Sequence, residues 1–392
     1  MSKQIAVVGQ GYVGLPLAIA AAEAGFSVVG IDINRDLVKA LSAGTSPVGD
    51  ISDAEIAHAI ARGTYCASTD FSLIADCEIA VICVPTPLDS EHRPDLSALE
   101  SAVHSVATHL SEGSLLIVES TIAPGTTREV VAQIVGSDKN IEIAYSPERI
   151  DPSNKQWNIR NTPKLVAGLT PSATDRTVDF YSAFINRVDR GESVEVIEVA
   201  KLLENSFRLI NISFINEIAI FCQKLGVDVR DVIKAASTKP YGFMPFFPSA
   251  GVGGHCIPVD PSYLSAKAHE IGAPSRFIDL ANDVNRSMPT FFAGIALGKL
   301  GTLAAKKILV VGIAYKPNVS DMRESPAVEL IAELRSRGAE VSWHDDLVGT
   351  WAGESSTPLT ADYDLVIFVN PHPGTDISLL GTAHVLDTRG GY

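Results

Sequence analysis

The stretch "QIAVVGQGYVG", residues 4–14, decides the fold of the first part of the chain. It runs from a β-branched segment into the pattern G-x-G-x-x-G, formed by Gly9, Gly11 and Gly14, and an alanine-rich helical pattern follows. Glycines at such a strand-to-helix turn let backbone N–H groups and a helix N-terminus approach a pyrophosphate. Asp32 ends the next predicted strand, where a carboxylate accepts hydrogen bonds from ribose hydroxyls. Strand, helix and acidic residue together predict a βαβ unit that binds NAD rather than NADP, and they favour this over glycines that serve only close packing.

The bulk composition indicates a globular, acidic protein. A chain of 392 residues is too long for one ordinary core, so we expect two or three domains, and 46% hydrophobic against 20% charged residues leaves ample material for them. Lysine and arginine number 31 against 46 aspartates and glutamates, which gives a formal charge of −15, and no basic run occurs. Nucleic acid and anionic membrane surfaces are therefore poor partners.

The N-terminal residues enter an apolar strand at once and lack the regions of a signal peptide. No uninterrupted apolar stretch reaches the roughly 18 residues that span a bilayer, so we expect a cytoplasmic protein. The cysteines are odd in number and form no C-x-x-C pair, which predicts neither a disulfide framework nor a metal site. One of them follows a glycine cluster in "GVGGHCIPVDP" (251–261), outside the apolar segments. The cysteines are Cys66, Cys77, Cys83, Cys222 and Cys256.

The C-terminal part of the chain repeats features of the first βαβ unit. Residues 306–317, "KKILVVGIAYKP", match the first strand and its first glycine, while 337–346 and 362–370 resemble later strands of the N-terminal copy. The second and third glycines are missing. We therefore expect a second nucleotide-type fold that binds something other than a dinucleotide, or that serves assembly.

Between the two copies the pattern is helical. Residues 193–225 have apolar residues at spacings of three and four and no proline or glycine, and a second helical pattern covers 277–300. The predicted fold class is α/β, with two Rossmann-like domains of parallel sheets joined by a central helical dimerisation region. A helix this long and apolar is hard to bury in one subunit, so a homodimer through it is expected. The predicted boundaries are 1–190, 191–300 and 301–392.

Several segments, in this order, resemble the UDP-glucose/GDP-mannose dehydrogenase family over nearly the whole chain. The resemblance implies an NAD-binding domain, a central dimerisation helix and a UDP-sugar-binding domain. In that family a sugar 6-hydroxymethyl group is oxidised to a carboxylate with two NAD, and the product serves polysaccharide biosynthesis. The segments are "GQGYVGLPLA", "ESTIAPGTT" (119–127), "YSPERIDP" (145–152), "EVAKLLENSFRLINISFINE" (198–217), "GVGGHCIPVDP" and "GIAYKPNVSDMRESPA" (312–327).

The resemblance gives Cys256 a chemical role. Oxidation of a primary alcohol to an acid needs two hydride transfers, and the intermediate aldehyde must be retained between them. Attack by the Cys256 thiol gives a thiohemiacetal, whose oxidation yields a thioester that water hydrolyses. A free thiol has a pKa of about 8.5, so local activation is needed, and the flanking glycines are expected to let the loop bring the sulfur close to the sugar. Without the resemblance, Cys256 reads as an inert buried thiol.

The same resemblance assigns roles to polar residues near Cys256. Lys201 and Asn205 are four residues apart on one helix and so share a face. Lys201 is similar to a lysine that stabilises the developing oxyanion and helps to orient or deprotonate the substrate hydroxyl, and Asn205 is similar to its oxyanion partner. Asp260 resembles an aspartate that assists proton transfer and orders the hydrolytic water. Spacing alone fits a solvated stripe of Lys201, Glu204 and Arg208 equally well, and Asp260 also fits a turn-forming aspartate.

Thr121 and Glu148 are similar to a threonine and a glutamate that help to handle a water molecule beside the reacting sugar; otherwise they read as a strand-end hydroxyl and a surface carboxylate. Members specific for UDP-glucose carry a further glutamate where this chain has Pro152. The resemblance also implies cofactor contacts from Tyr12, Val13, Pro85, Thr86, Thr121 and Arg323, beside Gly9, Gly11, Gly14 and Asp32, with Arg35 as a supplement or simple solvated residue. For the substrate it implies Glu148, Arg149, Lys201, Asn205, Gly253, Tyr315, Lys316 and Arg389.

The sequence indicates the sugar of the substrate less clearly than it indicates the reaction. Segments such as "NTPKLVAG" (161–168) and "TKPYGFMPFFPSAGVGGHC" (238–256) look more like the branch that acts on UDP-N-acetylhexosamines, and Phe247 stands where the UDP-glucose branch has a lysine. We expect UDP-N-acetyl-D-glucosamine, with the N-acetylgalactosamine, N-acetylmannosamine and glucose analogues open. Two further alternatives are a two-electron NAD oxidoreductase and a non-catalytic nucleotide-sugar sensor.

Overall fold

The computed structural model describes residues 3–151, 154, 156–360, 362–380 and 384–390. The chain divides into two compact units, Met1–Leu203 and Glu204–Tyr392. The predicted division into three parts, with a separate central region, stays a prediction.

The first unit holds an eight-stranded sheet with the strand order β3-β2-β1-β4-β5-β6-β7-β8. Apolar clusters cover both faces of this sheet, as expected when strands are nearly continuous apolar runs. The elements are β1 (Gln4–Val8), α1 (Gly14–Glu23), β2 (Ser27–Ile31), α2 (Arg35–Ser42), α3 (Asp53–Ala61), β3 (Tyr65–Ser68), a 3-10 helix (Phe71–Asp76), β4 (Ile79–Ile82), α4 (Ser97–His109), β5 (Leu115–Val118), a π-helical segment (Thr127–Val131), α5 (Ala132–Val135), β6 (Glu142–Tyr145), β7 (Lys164–Gly168), α6 (Pro171–Ser182) and β8 (Val188–Arg190).

One strand pair of this sheet is antiparallel, whereas its other pairs are parallel. Ala144 of β6 pairs with Gly168 of β7, and Tyr145 pairs with Ala167. Because β7 runs in the opposite direction, its first residue, Lys164, lies at the edge where β5 and β6 end. A continued register sets Lys164 opposite Glu148.

The second unit contains a four-stranded parallel sheet with the order β10-β9-β13-β14, which confirms the repeated α/β pattern. Its core packs α10 and α11 against this sheet. The elements are α7 (Val194–Leu225), which begins in the first unit, α8 (Val229–Ala236), α9 (Asp260–Glu270), α10 (Arg276–Leu300), β9 (Lys307–Val311), α11 (Pro326–Ser336), β10 (Glu340–His344), β11 (Thr350–Trp351), β12 (Glu354–Ser355), β13 (Leu365–Phe368), a 3-10 helix (Ile377–Leu380) and β14 (His384–Asp387).

Helix α7 is continuous over 32 residues, as its sequence predicts. Large apolar side chains are exposed along it, and Phe207, Phe214 and Phe221 are 46%, 58% and 61% exposed. These three residues are seven apart and so form one stripe. Among the described residues, none of the helices combines the length and hydropathy that a bilayer crossing requires.

Candidate active site

The turn after β1 has the geometry of a dinucleotide-binding turn. Gly9 has a φ of +91°, and a Cβ atom there would lie 2.5 Å from the Cys83 carbonyl oxygen. A Cβ atom on Gly14 would lie 1.8 Å from the Gly9 oxygen. Apart from the neighbours of Gly11 in the chain, no described residue lies within 4 Å of its Cβ position, and the side chain of Val13 does not cap the first N–H groups of α1. The glycines thus bring α1 close to the sheet and leave its N-terminus to a phosphate.

Asp32 lies directly after β2 and is fixed beside this turn. Its Oδ2 atom accepts a hydrogen bond from the Gln10 N–H at 2.8 Å, and its Oδ1 atom accepts one from the Asn34 N–H at 2.9 Å. Each carboxylate oxygen can still accept from a ribose hydroxyl. The residues present therefore fit NAD, with Asp32 at a ribose and the glycine turn at the diphosphate. Arg35 is exposed at the first residue of α2.

The other cofactor residues proposed in the first unit follow the ends of neighbouring strands. Tyr12 is half-buried on the glycine turn, and Pro85 and Thr86 follow β4. Thr121 follows β5, and the preceding Ser120 hydroxyl donates to the Val84 carbonyl oxygen at 2.7 Å. Because parallel strands end at one edge of a sheet, these loops share the edge that carries Asp32.

A buried carboxylate on α7 holds the loop that follows Thr121. Glu198 is fully buried and accepts hydrogen bonds from the Gly125 N–H at 2.6 Å and the Thr127 N–H at 2.9 Å. Burial raises the pKa of Glu198 above its usual range, although these hydrogen bonds oppose the shift. Glu198 thereby fixes the backbone of the "STIAPGTT" loop.

A buried ionic cluster lies at the same edge of the sheet. The Nζ atom of Lys164 is 3.0 Å from Oε1 of Glu119 and 3.2 Å from Oε2 of Glu148, and the Tyr181 hydroxyl donates to Glu119. Burial raises the pKa of Glu119, against the opposing effect of the Lys164 ammonium. Burial alone lowers the pKa of Lys164, but the two carboxylates outweigh it and raise that pKa. Lys164 is therefore a buried cation.

The Glu148 side chain turns back toward the protein. Its Oε1 atom accepts hydrogen bonds from the Arg149 N–H at 2.5 Å and the Ile150 N–H at 2.7 Å, while Oε2 faces Lys164. The guanidinium of Arg149 donates to the Pro163 carbonyl oxygen at 2.7 Å, which ties this loop to β7. Pro152, the position of the additional glutamate in the UDP-glucose branch, lies outside the described residues.

In the second unit, Cys256 stands one turn before the N-terminus of α9. Its carbonyl oxygen accepts hydrogen bonds from the Val259 N–H at 3.2 Å and the Asp260 N–H at 2.8 Å. Asp260, the first residue of α9, is buried, and its Oδ2 atom accepts from the Asn205 side-chain amide at 2.5 Å. Lys201, buried one turn earlier on α7, shares the helix face of Asn205. The structure thus joins two of the predicted catalytic residues, Asn205 and Asp260, directly.

Glycine is required at two positions before Cys256, because other segments of the chain approach the backbone closely there. A Cβ atom on Gly253 would lie 2.6 Å from the Glu324 carbonyl oxygen, and one on Gly254 would lie 2.7 Å from the Tyr315 ring. The Gly254 N–H also donates to the Arg323 carbonyl oxygen at 3.0 Å. The cysteine loop therefore lies directly against the loops that follow β9. The sequence analysis expected the glycines to let the loop bring the sulfur close to the sugar, and it did not predict this packing.

The cations proposed for the ligands of the second unit have defined surroundings. Arg323 binds Asp321 with an NH2-to-Oδ2 distance of 2.6 Å and donates to the His255 ring at 3.2 Å. Lys316 follows β9, with its Nζ atom 5.7 Å from the Tyr315 ring centroid. Arg389 follows β14 and pairs with Asp387 at 2.8 Å. Lys316 and Arg389 therefore follow strand ends on the same edge of the second sheet.

Burial raises the pKa of Asp321, but the hydrogen bonds from Arg323 outweigh it and lower that pKa below its usual range. Asp321 is therefore an anion that fixes the Arg323 guanidinium. All five cysteines are free thiols. A search of the described residues finds no group of three or more histidine, cysteine, aspartate and glutamate side chains suited to a metal ion.

A glycine turn suited to a dinucleotide on one sheet, and a cysteine loop beside the end of β9 in another, fit an oxidoreductase that uses a dinucleotide. Family models match the chain as the NAD binding domain (3–185), the central domain (195–287) and the UDP binding domain (309–390) of the UDP-glucose/GDP-mannose dehydrogenase family. The chain belongs to this family, as its motifs predict. It is an NAD-dependent oxidoreductase that acts on a UDP-sugar.

Similar proteins differ in the UDP-sugar that their names specify as the substrate. The chain is 34% identical to the UDP-N-acetyl-D-glucosamine 6-dehydrogenase of Pseudomonas aeruginosa, over 97% of this chain and 90% of that protein. It is 32% identical to the UDP-N-acetyl-D-mannosamine dehydrogenase of Pyrococcus horikoshii, over 94% and 90%. A solved structure of UDP-ManNAc dehydrogenase from Pyrococcus horikoshii superposes with a TM-score of 0.90 at 30% identity, covering 98% of this chain and 95% of that one.

The sequence analysis did not single out Glu198, Lys164, Glu119 or Tyr181. Three of them lie inside quoted segments: Glu119 in "ESTIAPGTT", Lys164 in "NTPKLVAG" and Glu198 in "EVAKLLENSFRLINISFINE". The available signal was a charged residue directly after or within an apolar segment, which is costly to bury unless it is paired. Their partners are distant in sequence and were not predictable from spacing.

Proposed function

We propose that this protein oxidises the C6 hydroxymethyl group of UDP-N-acetyl-D-glucosamine to the carboxylate, through a covalent bond to Cys256, and releases two NADH. The observation that carries the proposal is the position of Cys256 one turn before α9, on a loop whose Gly253 and Gly254 lie against Glu324 and Tyr315. A helix N-terminus stabilises negative charge and hence a thiolate.

The cysteine retains the intermediate between the two oxidations. NAD, when bound, accepts the hydride that the sugar carbon loses in each oxidation. The Cys256 thiolate adds to the carbon of the aldehyde and forms a thiohemiacetal, and oxidation of this adduct gives a thioester. Water then attacks the thioester carbonyl, the C–S bond breaks, and the thiolate and the sugar carboxylate are released.

Polar residues on α7 and α9 stabilise the charges that develop on oxygen. In the proposed mechanism the Lys201 ammonium and the Asn205 amide donate to the oxyanion, which an apolar environment makes more effective. Asp260 accepts from Asn205 at 2.5 Å and so orients the amide, and it orders the hydrolytic water. Thr121 and Glu148 help to handle a water molecule at the reacting sugar.

The UDP moiety is assigned to the second sheet. Lys316 and Arg389 follow β9 and β14, and as cations they suit a diphosphate. Tyr315 and Gly253 line the same edge, because a Cβ atom on Gly253 would lie 2.9 Å from the Tyr315 Cβ. Arg149 is assigned to the substrate and Arg323 to the cofactor on the family resemblance alone.

A panel of UDP-sugars tests the proposal. With NAD, we expect two NADH per UDP-N-acetyl-D-glucosamine and a carboxylate product by mass spectrometry, with kcat/KM about tenfold or more above that for UDP-glucose. The N-acetylgalactosamine and N-acetylmannosamine analogues are measured in parallel, and NADP should be a poor acceptor because the Asp32 carboxylate would repel a 2′-phosphate on the ribose. One NADH per sugar would indicate a two-electron oxidoreductase, and none would indicate a sensor. A higher kcat/KM for another epimer would overturn the choice of sugar.

We also propose a homodimer through the apolar stripe on α7, formed by Phe207, Phe214 and Phe221. Seven-residue spacing gives a continuous seam, which two copies of a helix can bury against each other. The cytoplasmic location stays a prediction from the sequence.

Replacing Phe214 by glutamate should dissociate this dimer. A charge at the centre of an apolar interface has no partner there, so we expect the dimer dissociation constant to rise about 30-fold or more. Light scattering coupled to size-exclusion chromatography measures the mass. Ile377→Glu is the matched control, because Ile377 is 56% exposed outside α7. A monomeric wild type, or an unchanged dimer in Phe214→Glu, would contradict the assignment.

A further inference from the structure

We propose that Lys164 is a positioning residue for the reaction, because its ammonium holds the Glu148 carboxylate in its working orientation. The inference rests on the proposed function, in which Glu148 handles a water molecule. Lys164 itself is 4% exposed and is not assigned to substrate or cofactor.

The strand register determines the position of the Lys164 ammonium. Because β7 is antiparallel to β6, with Tyr145 paired to Ala167, the first residue of β7 falls opposite the loop that carries Glu148. Lys164 then reaches Oε2 of Glu148 at 3.2 Å, while the other oxygen of Glu148 accepts from two backbone N–H groups. Both oxygens of the Glu148 carboxylate are thus oriented by the protein.

The second carboxylate explains why Lys164 controls Glu148 in particular. Glu119 is fully buried and held by the Tyr181 hydroxyl, whereas the Glu148 side chain is 14% exposed. Both carboxylates approach one Nζ atom, so without the cation two like charges would face each other across a buried space. The Glu148 side chain is partly exposed, so without the cation it can turn away from Glu119 toward solvent, whereas the fully buried Glu119 cannot.

The principal variant is Lys164→Met, which keeps the length of the side chain and removes its charge. We expect kcat to fall about 10–100-fold, as misplacement of a reacting group does, with the KM for NAD changed less than about threefold. The melting temperature should also fall, because Glu119 loses its counter-charge.

The double variant Lys164→Met/Glu119→Gln separates stability from positioning. It removes the uncompensated buried charge, so the melting temperature should return toward that of the wild type. Oε2 of Glu148 still lacks its cation, so kcat should stay at least about tenfold low. Recovery of both the melting temperature and kcat would show that Lys164 only balances charge, and would overturn the proposal.

A double-mutant cycle with Glu148→Gln tests whether Lys164 acts through Glu148. In the Glu148→Gln background, Lys164→Met should lower kcat by no more than about twofold further, because coupled residues are not additive. A fully additive loss would overturn the proposal. If Glu148→Gln by itself keeps the wild-type kcat, the role proposed for Glu148 in the reaction is wrong. That result differs from the additive loss, which would show only that Lys164 does not act through Glu148.

Discussion

Replacing Cys256 by serine should lower kcat for carboxylate formation by at least about 10³-fold. A serine hydroxyl stays protonated near neutral pH, so it cannot replace the thiolate nucleophile of the proposed mechanism. An ester would also be a poorer acyl donor to water than the thioester. Serine differs from cysteine by one atom and keeps the backbone carbonyl that accepts from the Val259 and Asp260 N–H groups, so we expect the binding loops to keep their structure.

The measurement is single-turnover and steady-state NADH formation, with the product identified by mass spectrometry. Cys66→Ser is the matched control, since Cys66 is an exposed thiol on β3, and its kcat should remain within about twofold of wild type. Carboxylate formation by Cys256→Ser at the wild-type rate would exclude covalent catalysis. A substrate dissociation constant that rises in parallel with the loss of rate would instead assign Cys256 to binding.

Replacing Lys201 by methionine should lower kcat about 10²–10³-fold, the usual loss for one oxyanion donor. Lys201 is 7% exposed, so its ammonium acts in surroundings where water competes weakly. Methionine keeps the unbranched side chain and good helix propensity, which preserves α7. The KM for the UDP-sugar should change less than about threefold, because in the proposed mechanism the charge that Lys201 stabilises develops only in the transition state.

Lys224→Met is the control for this variant, because Lys224 is exposed in the last turn of the same helix. Its kcat should match that of the wild type. If Lys201→Met changes KM alone, Lys201 binds substrate without stabilising the oxyanion. If neither constant changes, Lys201 has no role in the reaction.

Local sequence patterns predicted much of the fold. Glycine spacing identified the turn after β1, and the absence of helix breakers identified α7 over its full observed length, Val194–Leu225. The repeat of "ILVVG" near residue 308 identified the second sheet. These signals are local because turn geometry, helix periodicity and strand composition depend on residues close together in the chain.

The sequence by itself determined the βαβ unit with Asp32, the repeated sheet and, through ordered motifs, the family. Only the tertiary structure decided that Lys164 faces Glu119 and Glu148, that Glu198 holds the loop after Thr121, and that the glycines before Cys256 allow contact with Tyr315. The physical reason is that these contacts join distant segments. Antiparallel pairing of β7, a buried face of α7 and a loop packed on the second sheet each depend on register and packing, which spacing along one chain does not specify.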